Sequence, residues 1–189
     1  MRSLLPLMIL ACACTPVRYA AIDTPEQSGV VSGGAVLATR IVQLTDVLLT
    51  LGPNIDPDEA VMLADTAVRF SLQQVADYRL TKPPLAHNVL VNAGLKRRGL
   101  CIHWTEDLLT RLHELDTHSF QLWWGVADRP TPFHVEHSTV VVTASGEPFV
   151  SGLVLDGWRN SGWLYWAPVA ADKYRWNVMG NYISGTGLD

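Results

Sequence analysis

His137-Ser138-Thr139-Val140-Val141-Val142-Thr143-Ala144-Ser145-Gly146-Glu147-Pro148-Phe149-Val150-Ser151-Gly152-Leu153-Val154-Leu155-Asp156 is the stretch that decides the fold class. β-Branched and apolar residues crowd both of its ends, and Ser, Gly, Glu and Pro fill its middle. That pattern predicts a β-hairpin with strands over His137–Thr143 and Val150–Asp156. A symmetric turn centred between Gly146 and Glu147 puts His137 directly opposite Asp156, on one face of the sheet. Facing residues of an antiparallel pair have Cβ atoms about 4.5–5.5 Å apart, within reach of an imidazole–carboxylate contact. Thr139, Val141 and Thr143 share the face of His137, and Val154 and Gly152 that of Asp156.

Outward from the hairpin the period-two pattern continues. Phe120-Gln121-Leu122-Trp123-Trp124-Gly125-Val126 reads as a strand, Trp163-Leu164-Tyr165-Trp166 as a further one, and Tyr174-Arg175-Trp176 as a short edge strand. Upstream the apolar period becomes helical. Val36, Ile41, Leu44, Val47, Leu48 and Leu51 recur at helix spacing until Gly52-Pro53 stops them. Asp56 is an N-cap, Pro57 fits the first helical position, and Glu59 stands where a capping box would place it. That helix runs to about Arg79, and a short one covers Leu85 to Leu95. Another begins at Cys101, with Leu108, Leu109, Leu112 and Leu115 as its apolar stripe, extended back through Thr105 and Ile102. Helices first and a strand meander afterwards predict an α+β domain, N-terminal helices packed on an antiparallel sheet.

The N-terminal segment reads as a targeting signal. Arg2 precedes an apolar run, Leu4 to Ala11, too short to span a bilayer. Ile9-Leu10-Ala11-Cys12 resembles the bacterial lipoprotein signal, which implies a lipid on Cys12. Cys14 is the weaker alternative, with Ala11 in the aliphatic position. Residues 1–11 are then the signal, 12–34 a Pro- and Gly-containing tether, and 35–189 a single domain. Ala13 follows the lipid site, where lipoproteins retained in the inner membrane often have Asp; for a Gram-negative source the resemblance therefore implies an outer-membrane anchor on the periplasmic face. A net charge of −4 over 189 residues gives no footprint for nucleic acid. Three cysteines make no disulfide framework. A Cys14–Cys101 bridge is the competing structural reading, with Cys14 at the root of the tether.

Three residues carry the chemistry. Cys101 follows Gly99-Leu100 and opens a helix, where the positive end of the helix dipole stabilises a thiolate. The cluster Lys96-Arg97-Arg98 adds positive potential. His137 opens one strand of the hairpin and Asp156 closes the other. A thiol nucleophile needs a base to take its proton and a third group to orient that base, and Cys101, His137 and Asp156 can fill these roles. The bland alternatives are a buried structural cysteine and a silent cross-strand His–Asp pair. His103 lies about 200° round the helix from Cys101 and faces away from the thiol. His87 and His113 read as polar helix positions. His134, Glu136 and His137 lack a metal-site spacing, so no metal and no cofactor is expected. The seven tryptophans read as packing, and Glu106 and Asp107 as a solvated helix face.

Gly99-Leu100-Cys101, Glu136-His137-Ser138 and Leu155-Asp156-Gly157-Trp158 together resemble the transglutaminase-like branch of the papain-like cysteine hydrolases, over about Pro84 to Trp176. The resemblance implies a core with the nucleophilic Cys101 at a helix N-terminus and His137 and Asp156 on neighbouring antiparallel strands. It implies acyl transfer to water or an amine, on peptide or isopeptide amides of the cell envelope. The candidate side-chain donors for an oxyanion hole are Asn88 and Asn92, beside the backbone N–H of Cys101. The competing expectation is a scaffold or binding lipoprotein that keeps the fold without turnover.

Overall fold

The computed structural model describes residues 33–127 and 137–179. Four helices precede five strands: α1 (Gly33–Leu49), α2 (Pro57–Asp77), α3 (Pro84–Asn92), α4 (Cys101–His113), β1 (Phe120–Ala127), β2 (His137–Ala144), β3 (Leu153–Asp156), β4 (Tyr165–Pro168) and β5 (Trp176–Val178). The strands form one antiparallel sheet in the order β4-β3-β2-β1-β5. The expected α+β class is the observed one. Helix α1 already includes Gly33 and Gly34, which read from sequence as the end of the tether.

Alternation along β2 divides the interior. Val140 and Val142, with Leu153 and Leu155 of β3 and Leu122 and Trp124 of β1, face Leu44 and Leu48 of α1, Leu63 and Val68 of α2, and Leu108, Leu109 and Leu112 of α4. Val141 and Val154 point the other way, into a smaller cluster with Ala127, Val169 and Trp176, against which Trp123, Phe149 and Tyr174 pack. Every residue of β2 is therefore buried. Burial on both faces is why its sequence is nearly continuous in apolar and Thr residues.

Two local expectations change. Asp56 does cap α2, accepting from the N–H groups of Asp58 and Glu59 at 2.8 and 3.3 Å. The Glu59 carboxylate, however, does not reach back to that cap. It accepts from the N–H groups of His118 and Ser119, both at 2.8 Å, and so holds the turn that feeds β1. In α4, Trp104 and Thr105 complete the buried stripe, whereas Ile102 is exposed. Ile102 lies within about 20° of Leu109 round the helix, but it is the second residue of α4, ahead of the first buried residue, Trp104.

The hairpin register also differs from the symmetric one. Val140 faces Leu155, Val141 faces Val154 and Val142 faces Leu153. Extended, this register sets Asp156 opposite Thr139, not opposite His137. Phe149–Ser151 form a 3-10 turn that takes residues from the second strand and moves the pairing along by two. An even displacement preserves the side of the sheet, so His137 and Asp156 still share a face and meet on the diagonal.

Candidate active site

Three element ends converge here: Cys101 is the first residue of α4, His137 the first of β2 and Asp156 the last of β3. The turn before Cys101 is built by side chains from elsewhere. Gly99 sits at φ +122°, and a Cβ there would lie 2.2 Å from Nε2 of His87. His87 is buried within α3. Its Nδ1 accepts from the Thr81 N–H at 3.0 Å and its Nε2–H donates to the Arg98 carbonyl at 2.8 Å, which fixes one neutral tautomer. Trp104 Nε1–H donates to the Gly99 carbonyl at 3.1 Å.

Leu100 occupies the N-cap but has no side-chain acceptor. His103, at the third helical position, supplies one. Its Nδ1 accepts from the N–H groups of Gly99 and Leu100 at 3.1 and 3.3 Å. Burial, and then repulsion by Arg98, hold the His103 pKa below its ordinary value. The ring therefore stays neutral and able to accept. His103 and His87 are thus parts of the scaffold under Cys101. The Lys96-Arg97-Arg98 cluster contributes less free charge than its sequence suggests. Arg98 bridges Glu106 and Asp107, each at 2.6 Å, and Lys96 Nζ donates to the Arg79 carbonyl at 2.7 Å. Glu106 and Asp107 are accordingly ion-pair partners, and Asp107 also accepts from the Tyr78 hydroxyl at 2.5 Å.

His137 and Asp156 are each only 2 % exposed. His137 Nε2 lies 2.6 Å from Asp156 Oδ2. The other side of the ring is hydrogen-bonded to the side chain of Cys101. With Nε2 committed to the carboxylate, Nδ1 is the ring nitrogen that addresses the sulfur. Aromatic rings enclose the imidazole: Trp158, Tyr174 and Trp176 lie 4.9, 5.0 and 5.5 Å from it, centroid to centroid. Burial by itself disfavours the imidazolium. The attraction and hydrogen bond of Asp156, joined by the hydrogen bond of Cys101, outweigh it and raise the His137 pKa to about 9. Burial pushes Asp156 up, but the charge and hydrogen bond of His137, then Arg159, bring it down to about 2. The pair is ionised at neutral pH, with Nε2–H donating.

The segment Asp156-Gly157-Trp158-Arg159 turns sharply against α4 and α2. A Cβ on Gly157 would fall 2.9 Å from the Trp104 ring and 3.0 Å from Ser71 Oγ. Arg159 comes back onto Asp156, its N–H donating to Oδ1 and its Nε–H to Oδ2, both at 3.0 Å. Arg159 Nη1 lies 3.0 Å from Asp172 Oδ2. An unbroken chain of polar contacts therefore runs through Cys101, His137, Asp156, Arg159 and Asp172.

Of the proposed oxyanion donors, Asn88 belongs to the site's rim. Its Oδ1 accepts from Trp158 Nε1–H at 3.2 Å, and the Trp158 ring lies 4.9 Å from that of His137. Asn92 is exposed at the end of α3, and no hydrogen bond among the described residues ties it to the site. The described residues hold no group of three or more His, Cys, Asp or Glu arranged for a metal ion. His134 and Glu136 lie outside the described residues, as do Cys12, Cys14 and the tether. Spacing alone missed Arg159, although a residue three positions after an aspartate that closes a strand is a common partner for its carboxylate. Asp172, Tyr174 and Trp176 carry no local signal, since distant turns deliver them.

No family model, no curated protein and no solved structure matches this chain.

Proposed function

We propose that this chain is a cell-envelope lipoprotein carrying a thiol acyl-transfer site, a peptide or isopeptide amide hydrolase or transglutaminase-like enzyme on a papain-like core. The observation that carries this reading is the unbroken path from the Cys101 sulfur through the His137 ring to the Asp156 carboxylate. A structural cysteine needs no imidazole, and a silent surface pair is not buried among three aromatic rings.

In the reaction the Cys101 thiolate attacks the amide carbonyl carbon, and the carbonyl π pair moves onto oxygen. The Cys101 N–H, at the open end of α4, and the Asn88 amide are the donors for that oxyanion. As the C–N bond breaks, His137 Nδ1 gives its proton to the leaving amine, and a thioester remains on Cys101. Neutral His137 then takes a proton from water, or from an acceptor amine, which attacks the thioester. The C–S bond breaks, the acid or new amide leaves, and the thiolate–imidazolium pair returns. Asp156 keeps Nε2 protonated throughout, so that Nδ1 is the atom that exchanges protons.

The test is alkylation of the full chain by iodoacetamide at pH 6, where an ordinary thiol reacts slowly. Rapid labelling at Cys101 is expected. Labelling no faster than that of an unactivated thiol would remove the enzyme reading. A binding function draws support from one observation: Leu85 and Val89 of α3, Leu95, and Ile102 next to the thiol are all exposed. Slow labelling would leave that surface as the working part of the molecule.

The anchor has its own check. Cys12→Ser is expected to release the protein from membranes while the melting temperature of the domain stays put, since the core among the described residues is complete without residue 12. Membrane partitioning that survives the substitution, with Cys14 unmodified, would show that Cys12 is not the lipid site.

A further inference from the structure

Asp156 is held by two cations. Its Oδ2 accepts from His137 Nε2 at 2.6 Å and from Arg159 Nε at 3.0 Å, and its Oδ1 from the Arg159 backbone at 3.0 Å. We propose that Arg159, with Asp172 behind it, is a positioning residue of the Cys101–His137–Asp156 site, locking both carboxylate oxygens and withdrawing part of their charge from His137. The proposal rests on the reading of Cys101 and His137 as the reacting pair.

The geometry separates this role from that of an ordinary surface ion pair. The Arg159 side chain is 2 % exposed, and its carboxylate partners Asp156 and Asp172 are 1 % and 0 % exposed. Burying such charges carries a desolvation cost that their attraction scarcely repays, so stability alone gives no reason to keep them. The guanidinium is also fixed in plane. It lies 4.0 Å from the Tyr165 ring centroid and 5.0 Å from that of Tyr174. Tyr174 in turn lies against His137 at 5.0 Å. Nε serves Asp156 while Nη1 serves Asp172, a fork that the single ammonium of lysine cannot reproduce.

The titratable and charged groups around His137 come from four places: the Cys101 sulfur on α4, Asp156 on β3, Arg159 in the turn after β3 with Asp172 behind it, and, on the far side of the Tyr174 ring, Lys173. Along the path Cys101, His137, Asp156, Arg159, Asp172, negative and positive groups alternate once the thiolate has formed. Each group moderates the next. Arg159 limits how firmly Asp156 holds the imidazolium, so that His137 can surrender its proton to a leaving amine. Asp172 limits Arg159 in the same way.

That alternation makes opposite predictions for neighbouring substitutions. Arg159→Met leaves the whole Asp156 charge to His137, whose titration should rise by about one pH unit, a tenfold change in proton affinity. Asp172→Asn frees Arg159 to engage Asp156 more fully, and His137 should titrate lower than in the wild type. The measurement is the NMR titration of the His137 ring in the full chain labelled at histidine. Iodoacetamide labelling of Cys101 across pH is the second readout, and its alkaline limb should move in the same sense.

Arg159→Met strands Asp172 in the interior and can fail to fold. Arg159→Met/Asp172→Asn removes both charges together and keeps the question answerable: His137 should titrate above wild type but below Arg159→Met. A pair that only holds the turn together would lower the melting temperature in these variants and leave the His137 titration unmoved. An unchanged or lowered titration in Arg159→Met, or in the double variant where the single does not fold, overturns the proposal. So does an unchanged or raised titration in Asp172→Asn. An unreactive Cys101 in the wild type would count against the acyl-transfer reading alone, because the ring titration reports on the network without turnover.

Discussion

Cys101→Ala is expected to abolish iodoacetamide labelling at this position and to lower amide turnover by at least about 10⁴-fold, while the fold survives. The two halves of that expectation have separate physical causes. Turnover loses its proposed nucleophile, and among the described residues no other thiol is present to form a covalent acyl intermediate in its place. Stability loses only one sulfur atom from a half-buried position at a helix start, a change of about 1 kcal/mol or less. A near-unchanged melting temperature with no labelling is the outcome to look for. Full activity of Cys101→Ala in an envelope complementation assay would end the nucleophile reading. In the wild type, turnover is expected to fall as the pH rises through about 9, where His137 loses the proton that the leaving amine requires.

Asp156→Asn is expected to damage both chemistry and stability. His137 would keep its burial and lose the charge and hydrogen bond that chiefly override it, so its pKa falls from about 9 and its tautomer is no longer dictated. Arg159 would face an amide, leaving a buried guanidinium partly uncompensated. Breaking a buried pair in this way costs about 3–5 kcal/mol. At about 2–4 °C per kcal/mol for a domain of this size, the melting temperature should fall by roughly 10 °C.

The same two groups set the pH dependence of wild-type stability. The His137 contribution is complete below pH 6.5, because both folded and unfolded states are then protonated, and it is lost as the pH rises through about 9. The Asp156 contribution is complete above pH 3.8, where both states are charged, and it is lost as the pH falls through about 2. Thermal melts across pH 2 to 10 should show both losses in the wild type, and neither attributable to this pair in Asp156→Asn. Wild-type melts insensitive to pH over that range would show that the pair is not coupled to folding.

The helices, the sheet and the common face of His137 and Asp156 were legible because each is written in short-range periodicity. The switch from helical to alternating spacing after Leu115 marks where the layers change. The Asp56-Pro57 start and the Gly99-Leu100-Cys101 start are local chemistry as well. What escaped is what depends on partners distant in the chain. The hairpin register moved because Phe149-Val150-Ser151 prefers a 3-10 turn once Phe149 packs beneath Trp123, at 6.1 Å between rings. Glu59 left its own helix for the turn before β1, and Arg98 was taken up by α4. His103, read only as a helix residue turned from the thiol, closes with its ring the turn on which the thiol stands. Arg159 and Asp172 needed the sheet order before their contact could be drawn.

Cys101, His137 and Asp156, the groups of the proposed site, each occupy the last place that a hydrogen-bond ladder reaches. Ends of helices and strands open first in any folded chain, since fewer neighbours oppose their local unfolding. Here each end is fastened by a side chain that is not itself part of the reaction: His103 and His87 at the start of α4, the aromatic rings at the start of β2, and Arg159 at the close of β3. Chemistry and architecture are consequently inherited separately in this molecule. A change at His103 would loosen the turn under Cys101 with little loss from the buried core, whereas a change at Arg159 also strands buried Asp172. On the proposed reading, descendants of this chain would lose the alignment of Cys101, His137 and Asp156 well before they lose the sheet and helices.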